Sequence, residues 1–115
     1  MDLRELTNAM HAFVTAKGWY ASDSPRPQTP RSLAISIAIE AAEVLEHFQW
    51  GEAAPGPELA GELADVALYL LQLASLSGID LERAILDKLS LNYQRYWEAP
   101  PGAPPPGPGP ASGRS

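Results

Sequence analysis

The sequence predicts an all-α protein: a bundle of four to five helices that assembles as a homo-oligomer. Three observations carry this expectation. Through residues 3–97 apolar residues recur at spacings of three and four, and no stretch alternates as a strand would. Proline is confined to two breaks, with Pro25, Pro27 and Pro30 in one and Pro55 and Pro57 in the other, and to a run beyond residue 99. The apolar stripes of the second and third helices are wider than one partner helix can cover, which points to a buried interface between subunits.

The first helix is expected over residues 3–17. Asp2 is its N-cap, Glu5 completes a capping box, and Gly18 closes it. Leu6, Met10, Phe13 and Val14 make its apolar stripe, and His11 reads as a surface residue. The second helix is expected over residues 32–48, with Leu33, Ile37, Ala41, Val44, Leu45 and Phe48 inward. The third spans residues 58–77 and ends at Gly78, with Leu63, Val66, Leu70 and Leu73 inward and Ala67, Leu68 and Leu71 widening the stripe. The fourth starts after Asp80, a good N-cap, and runs to about Trp97 before Pro100 and Pro101 stop it. Residues 1–98 form the helical domain. Residues 99–115 hold seven prolines and four glycines and no large apolar side chain. Such a tail cannot offset the entropy of ordering, so it is expected to be disordered and dispensable for assembly and activity.

Composition narrows the function. The chain has 115 residues, one domain's worth, and a net charge of −6. Nucleic acid is an unsuitable partner for so acidic a chain, because phosphate contacts need clustered Lys and Arg. With no cysteine there is no thiol nucleophile, disulfide or Cys-based zinc site. Acidic Asp2 and Glu5 do not make a signal-like start, and no apolar run reaches the roughly 18 residues of a membrane span. The expected address is cytoplasmic, with no membrane partner.

Charge order is the most informative feature. No Lys or Arg lies between Arg31 and Arg83, yet that stretch holds Glu40, Glu43, Glu46, Glu52, Glu58, Glu62, Asp65 and Asp80. Glu40 and Glu43 are three apart on the second helix, and Glu62 and Asp65 are three apart on the third. That spacing puts each pair on one face. Each pair sits among apolar residues, where a carboxylate is costly unless something neutralises it. Solvent exposure explains any one of these acids more readily than it explains both pairs. Hard divalent cations neutralise such sites through oxygen ligands. With the two helices antiparallel, the pairs reach the same level and make a site for one or two Mg²⁺ ions, with Mn²⁺ a substitute. A di-iron site would use Glu-x-x-His, whereas Glu43 and His47 are four apart. His47 neighbours the metal face but is not read as a ligand.

These residues carry a resemblance. The runs IEAAEVLEHFQW and ELADVALYLLQLASLSGIDLERAILDKLSLNYQRYW resemble the MazG-like nucleotide pyrophosphohydrolases, in particular their small dCTP-pyrophosphatase-like branch. The signature is Glu-x-x-Glu, a spacer and Glu-x-x-Asp, matched by Glu40, Glu43, Glu62 and Asp65. The resemblance spans about residues 3–97. It implies an all-α fold working as a homodimer or dimer of dimers. It also implies Mg²⁺-dependent hydrolysis of a nucleoside triphosphate between the α and β phosphates, yielding monophosphate and pyrophosphate. By the same resemblance Glu43 is the catalytic base, and Lys88, Asn92, Arg95 and Tyr96 bind the nucleotide and its phosphates. Tyr69 and Trp50 match aromatic positions that hold the base or sugar. The sequence departs from the family before the second helix, where Gln28 stands for a usual histidine and Ser32 for an asparagine, at positions expected to shape the base pocket.

No Walker loop is present, and two histidines leave no plausible Ser–His–Asp set. Two other readings compete. One is a non-enzymatic helical oligomerisation module that keeps the fold, which loss of a signature acid would favour. The other is a phosphoribosyl-ATP pyrophosphohydrolase-like enzyme, which would need a more basic surface.

Overall fold

The computed structural model describes residues 1–51 and 56–97, with side chains up to Arg95. It contains four helices: α1 (Leu3–Ala16), α2 (Pro30–Glu46), α3 (Glu58–Leu76) and α4 (Leu81–Trp97), and no strand among the described residues. The expected tail at 99–115 lies outside the described residues.

The helix ends follow from local chemistry. At α1, Asp2 accepts from the Glu5 backbone N–H at 2.9 Å, and Glu5 accepts from that of Asp2 at 3.0 Å, the expected capping box. Helix α2 starts two residues earlier than expected. Pro30 occupies its first turn, where no backbone donor is needed, and Thr29 and Ser32 cap each other reciprocally. Helices α1 and α3 end in the same way. Gly18 (φ 75°) and Gly78 (φ 71°) adopt left-handed backbone. The N–H groups of the glycine and the residue after it return to the carbonyls of Thr15 and Val14, and of Ser75 and Ala74. Helix α3 begins at Pro57 without a side-chain cap.

By contacts the chain divides into two units, Met1–Leu81 and Glu82–Ser115. In the first, α3 is the central element, packing against α2 and against α1. Met10, Val14 and Leu71 form the α1–α3 core, joined by Leu3, Trp19, Tyr20 and Leu81. Leu33 anchors the start of α2 and is fully buried. The pairing of α2 and α3 is antiparallel, because His47 at the end of α2 meets Glu62 near the start of α3, while Gln28 before α2 meets Gln72 late in α3.

Several residues expected to point inward do not. Leu6, Phe13, Leu45, Leu63, Leu68 and Leu70 are exposed, together with Ala41 and Ala67. The stripe of α2 that is covered runs through Leu33, Ile37, Glu40, Glu43, Val44, His47 and Phe48. On the opposite side Ile35, Ile39 and Leu45 are open, Ile39 at 54%. No unbroken apolar run reaches the length of a membrane span, as expected, but hydropathy averaged along a helix does. By length and composition alone α3 qualifies, with 19 residues and a mean hydropathy of 1.4. Contacts with α1 and α2 cover only part of that apolar surface: Leu71 and Ala74 are buried, while Leu63, Leu68 and Leu70 stay open.

In the second unit, the exposed pair Arg83–Asp87 spans one turn of α4 at 3.2 Å, a contact worth under about 1 kcal/mol in water. Beyond Leu81, the described side chains of α4 that are half-buried are Lys88, Asn92 and Arg95, spaced four and three apart on one face. Nη1 of Arg95 is shielded and has no hydrogen-bond partner.

Candidate functional site

The seam between α2 and α3 gathers the acids. Glu40 and Glu43 lie on the covered stripe of α2, and Glu62 lies on the stripe of α3 with Leu59, Val66, Tyr69 and Leu73. Asp65 flanks that stripe and is more open. The four carboxylates act on one another. Partial desolvation, followed by the charges of Glu43, Asp65 and Glu62, raises the Glu40 carboxyl above the ordinary glutamate value. Among the described residues no Lys or Arg is paired with any of the four. The charges of both helices' acids are thus felt at Glu40.

Among the described residues, the side chain that pairs with a signature acid is a histidine, and it serves one of the four. Nε2 of His47 donates to Oε1 of Glu62 in a close, half-buried contact. Among the described residues no three His, Asp or Glu side chains are drawn tightly enough to hold a cation as they stand. The donor set nonetheless fits a hard divalent ion by its chemistry: every signature group offers carboxylate oxygens, and desolvation together with the neighbouring acids raises the Glu40 carboxyl while no Lys or Arg among the described residues is paired with it.

Other expected site residues fall differently. Tyr69 is half-buried on the inner stripe of α3, one turn past Asp65. Trp50 stands beyond the end of α2 and is 91% exposed, so it is not gathered with the acids here. Lys88, Asn92 and Arg95 share a face of α4, in the second unit. The side chain of Tyr96 lies outside the described residues.

One constellation was not expected from the sequence. His11, read as a surface residue, is half-buried, with Nδ1 2.7 Å from the Tyr20 hydroxyl and Nε2 2.7 Å from Oγ of Ser75. Gln72, only 3% exposed, donates to the Tyr20 hydroxyl at 3.1 Å and to Oε1 of Gln28 at 2.9 Å. Burial raises the Tyr20 phenol, and the Gln72 hydrogen bond partly opposes that. The network ties the loop before α2 to α1 and α3. Its one sequence signal is a glutamine amid the apolar run of α3, at the helical spacing that follows Asp65 and Tyr69. Ser32 is also clarified. Its hydroxyl contacts the carbonyls of Pro27 (2.8 Å) and Thr29 (3.1 Å) and caps α2, so its side chain is committed to the helix start.

Comparison with known proteins gives the family. The sequence model of the MazG-like family matches residues 35–99, which include all four acids. The dCTP pyrophosphatase 1 of Rattus norvegicus is 40% identical over 77 residues, covering 58% of this chain and 45% of that protein. A dATP/dGTP diphosphohydrolase of Salmonella phage PMBT28 is 49% identical over 39 residues, 34% of this chain and 13% of that one. The chain therefore spans less than half the length of these curated relatives. A crystal structure of a pyrophosphatase from Archaeoglobus fulgidus DSM 4304 superposes with a TM-score of 0.67 at 33% identity, covering 81% of this chain and 90% of the other.

Proposed function

The chain belongs to the MazG-like family, and on that footing we propose that it is a Mg²⁺-dependent nucleoside triphosphate pyrophosphohydrolase. It cleaves an NTP or dNTP between the α and β phosphates and releases the monophosphate and pyrophosphate. The observation that carries this reading is the seam of α2 and α3, where the charges of Glu43, Glu62 and Asp65 bear on Glu40 and, among the described residues, no Lys or Arg is paired with any of the four. Relatives named as a dCTP pyrophosphatase and a dATP/dGTP diphosphohydrolase support the same class.

The substrate is a polyanion and the site is acidic, so the two cannot meet without cations between them. Glu40, Glu43, Glu62 and Asp65 would hold Mg²⁺, with Mn²⁺ a substitute. Bound there, the ion supplies charge neutralisation of the phosphates and activation of the attacking water. Glu43 accepts the proton of that water as general base. Tyr69 lies on the same α3 stripe and offers a ring face to the nucleoside, a role we also assign to Trp50. On the family resemblance alone, Lys88, Asn92, Arg95 and Tyr96 of α4 are assigned to binding the nucleotide and its phosphates. Uncovered Ile35, Ile39, Leu63 and Leu70 support assembly as a homodimer or dimer of dimers, with an interface above ~1,000 Å². The reading places the enzyme among nucleotide-pool hydrolases of the cytoplasm, with neither nucleic acid nor membrane as partner.

A panel of NTPs and dNTPs with Mg²⁺, followed by ³¹P NMR, tests the reading. Monophosphate and pyrophosphate are expected from at least one nucleotide. Diphosphate with orthophosphate would refute the α–β assignment, and no turnover of any nucleotide would favour a non-enzymatic module.

A further inference from the structure

His47 closes α2 as its C-cap residue and has no task in the reading above. Its position is specific. At 100° per residue, Glu40, Glu43 and His47 project at about 0°, −60° and −20° around α2, so the imidazole continues the line of the two acids. It reaches across the seam to Glu62, on the first turns of α3. Both side chains are largely covered, 12% and 21% exposed. Oε1 of Glu62 is taken by the ring N–H, while Oε2 has no hydrogen bond among the described residues.

Glu62 needs such a hold. A glutamate has three rotatable side-chain bonds, and fixing them costs entropy. Charge repulsion from Glu40, Glu43 and Asp65 works in the same direction, because it favours swinging the carboxylate away. At the seam, desolvation and, after it, the charges of Glu43, Asp65 and Glu62 raise the Glu40 carboxyl. Helix α3 also lacks a side-chain cap at its start, so the end that bears Glu62 is less firmly tied than the starts of α1 and α2.

We propose that His47 is a positioning residue: its imidazole N–H holds the Glu62 carboxylate to the end of α2, so that Oε2 joins the acids of α2 around one cation. This rests on the metal reading given under the proposed function. It assigns His47 to the layer behind the ligands, where a partner fixes the orientation of a ligating group and its loss typically costs 10–100-fold in metal affinity.

The test is Mn²⁺ titration of the full chain by calorimetry, with free Mn²⁺ followed by EPR. Three variants are compared: His47→Leu, which keeps bulk and removes the donor; His47→Gln, whose amide N reaches as far as Nε2; and His47→Asn, whose amide falls short. His47→Leu and His47→Asn are expected to bind Mn²⁺ about 10–100-fold more weakly, and His47→Gln to recover most of the loss. Turnover by the weak variants should return towards wild type at saturating metal, moving the apparent metal constant rather than kcat. Unchanged melting temperatures without metal separate this from a packing effect. Should His47→Leu fail to fold, the Gln and Asn pair carries the comparison. Equal Mn²⁺ affinity of wild type and the donor-less variants overturns the proposal alone, and so does equal weakness of Gln and Asn, which would make His47 itself a ligand. Absence of Mn²⁺ binding by wild type overturns the metal reading together with the proposal.

Discussion

The two sides of α2 reverse the usual order of a surface helix. The side against α3 carries Glu40, Glu43 and His47 among Leu33, Ile37, Val44 and Phe48. The side away from α3 carries Ile35, Ile39 and Leu45 in the open, with Ala34, Ala38, Ala41 and Ala42 around them. In a monomeric bundle the charges would face water and the isoleucines would face the neighbouring helix. The reversal teaches that the two sides answer to different demands. The inner side gives up apolar packing to carry its acids, and the outer side keeps an apolar surface that no described element of this chain covers. Helix α3 repeats the pattern along its length. Its late residues Leu71 and Ala74 are covered through α1, while Leu63 and Leu70 are open.

The largest expected effect comes from breaking the inner side. Glu43→Gln preserves shape and removes the charge, and should lower the hydrolysis rate by at least ~10²-fold, as removal of a positioned base or ligand does. Circular dichroism should show an intact fold beside the lost turnover. Next comes the outer side. Ile39→Glu places a charge on the open stripe and should reduce the assembly to monomers in light scattering coupled to size exclusion. An Ile39→Glu protein of unchanged mass would mean that this stripe faces water in solution.

A smaller effect tests the packing that frames both sides. Gln72→Leu removes both donors that serve Tyr20 and Gln28. It should cost about 1–3 kcal/mol, the range for leaving buried polar groups without partners. Chemical denaturation measures this directly. The smallest effect is one of sign. Glu40 has a raised carboxyl in the folded chain, so its ionised form opposes folding. Its contribution is favourable below the ordinary glutamate range and is lost as pH rises through the raised value. Without metal, Glu40→Gln should therefore melt higher than wild type at neutral pH. The difference should vanish on acidification below the glutamate range. With Mg²⁺ present the order should invert, because the ion stabilises the folded state only where the ligand remains.

Much of this was legible from residue order. Asp2 with Glu5, Gly18 and Gly78 mark helix ends by chemistry confined to a few neighbouring residues, and the structure realises each of them. The pairs Glu40/Glu43 and Glu62/Asp65 are legible for the same reason, since a spacing of three fixes a shared face whatever the partner. What was not legible depends on the third dimension. Periodicity marks Leu45, Leu63 and Leu70 as apolar-face residues without saying whether a helix of the same chain covers them, and none does so fully here. His11 lies 64 residues from Ser75, and Gln28 lies 44 from Gln72. Contacts at such separations leave no local pattern. His47 falls between these cases: its helical line with Glu43 was visible, and its grip on Glu62 was not.

The hydrogen-bond chain through Tyr20 has a direction, and that direction fixes a proton. Gln72 donates to the phenol oxygen, so the phenol's own hydrogen is free to point at Nδ1 of His11. An imidazole that accepts at Nδ1 in its neutral form must carry its hydrogen on Nε2, which is then aimed at Oγ of Ser75. An amide two links away thereby favours one tautomer of His11. In a ¹⁵N spectrum of histidine-labelled protein, His11 should show the pattern of a neutral ring with hydrogen at Nε2. Replacing Gln72 should release the ring to sample both forms. One side chain in the middle of α3 would then be readable as a ¹⁵N chemical shift on α1.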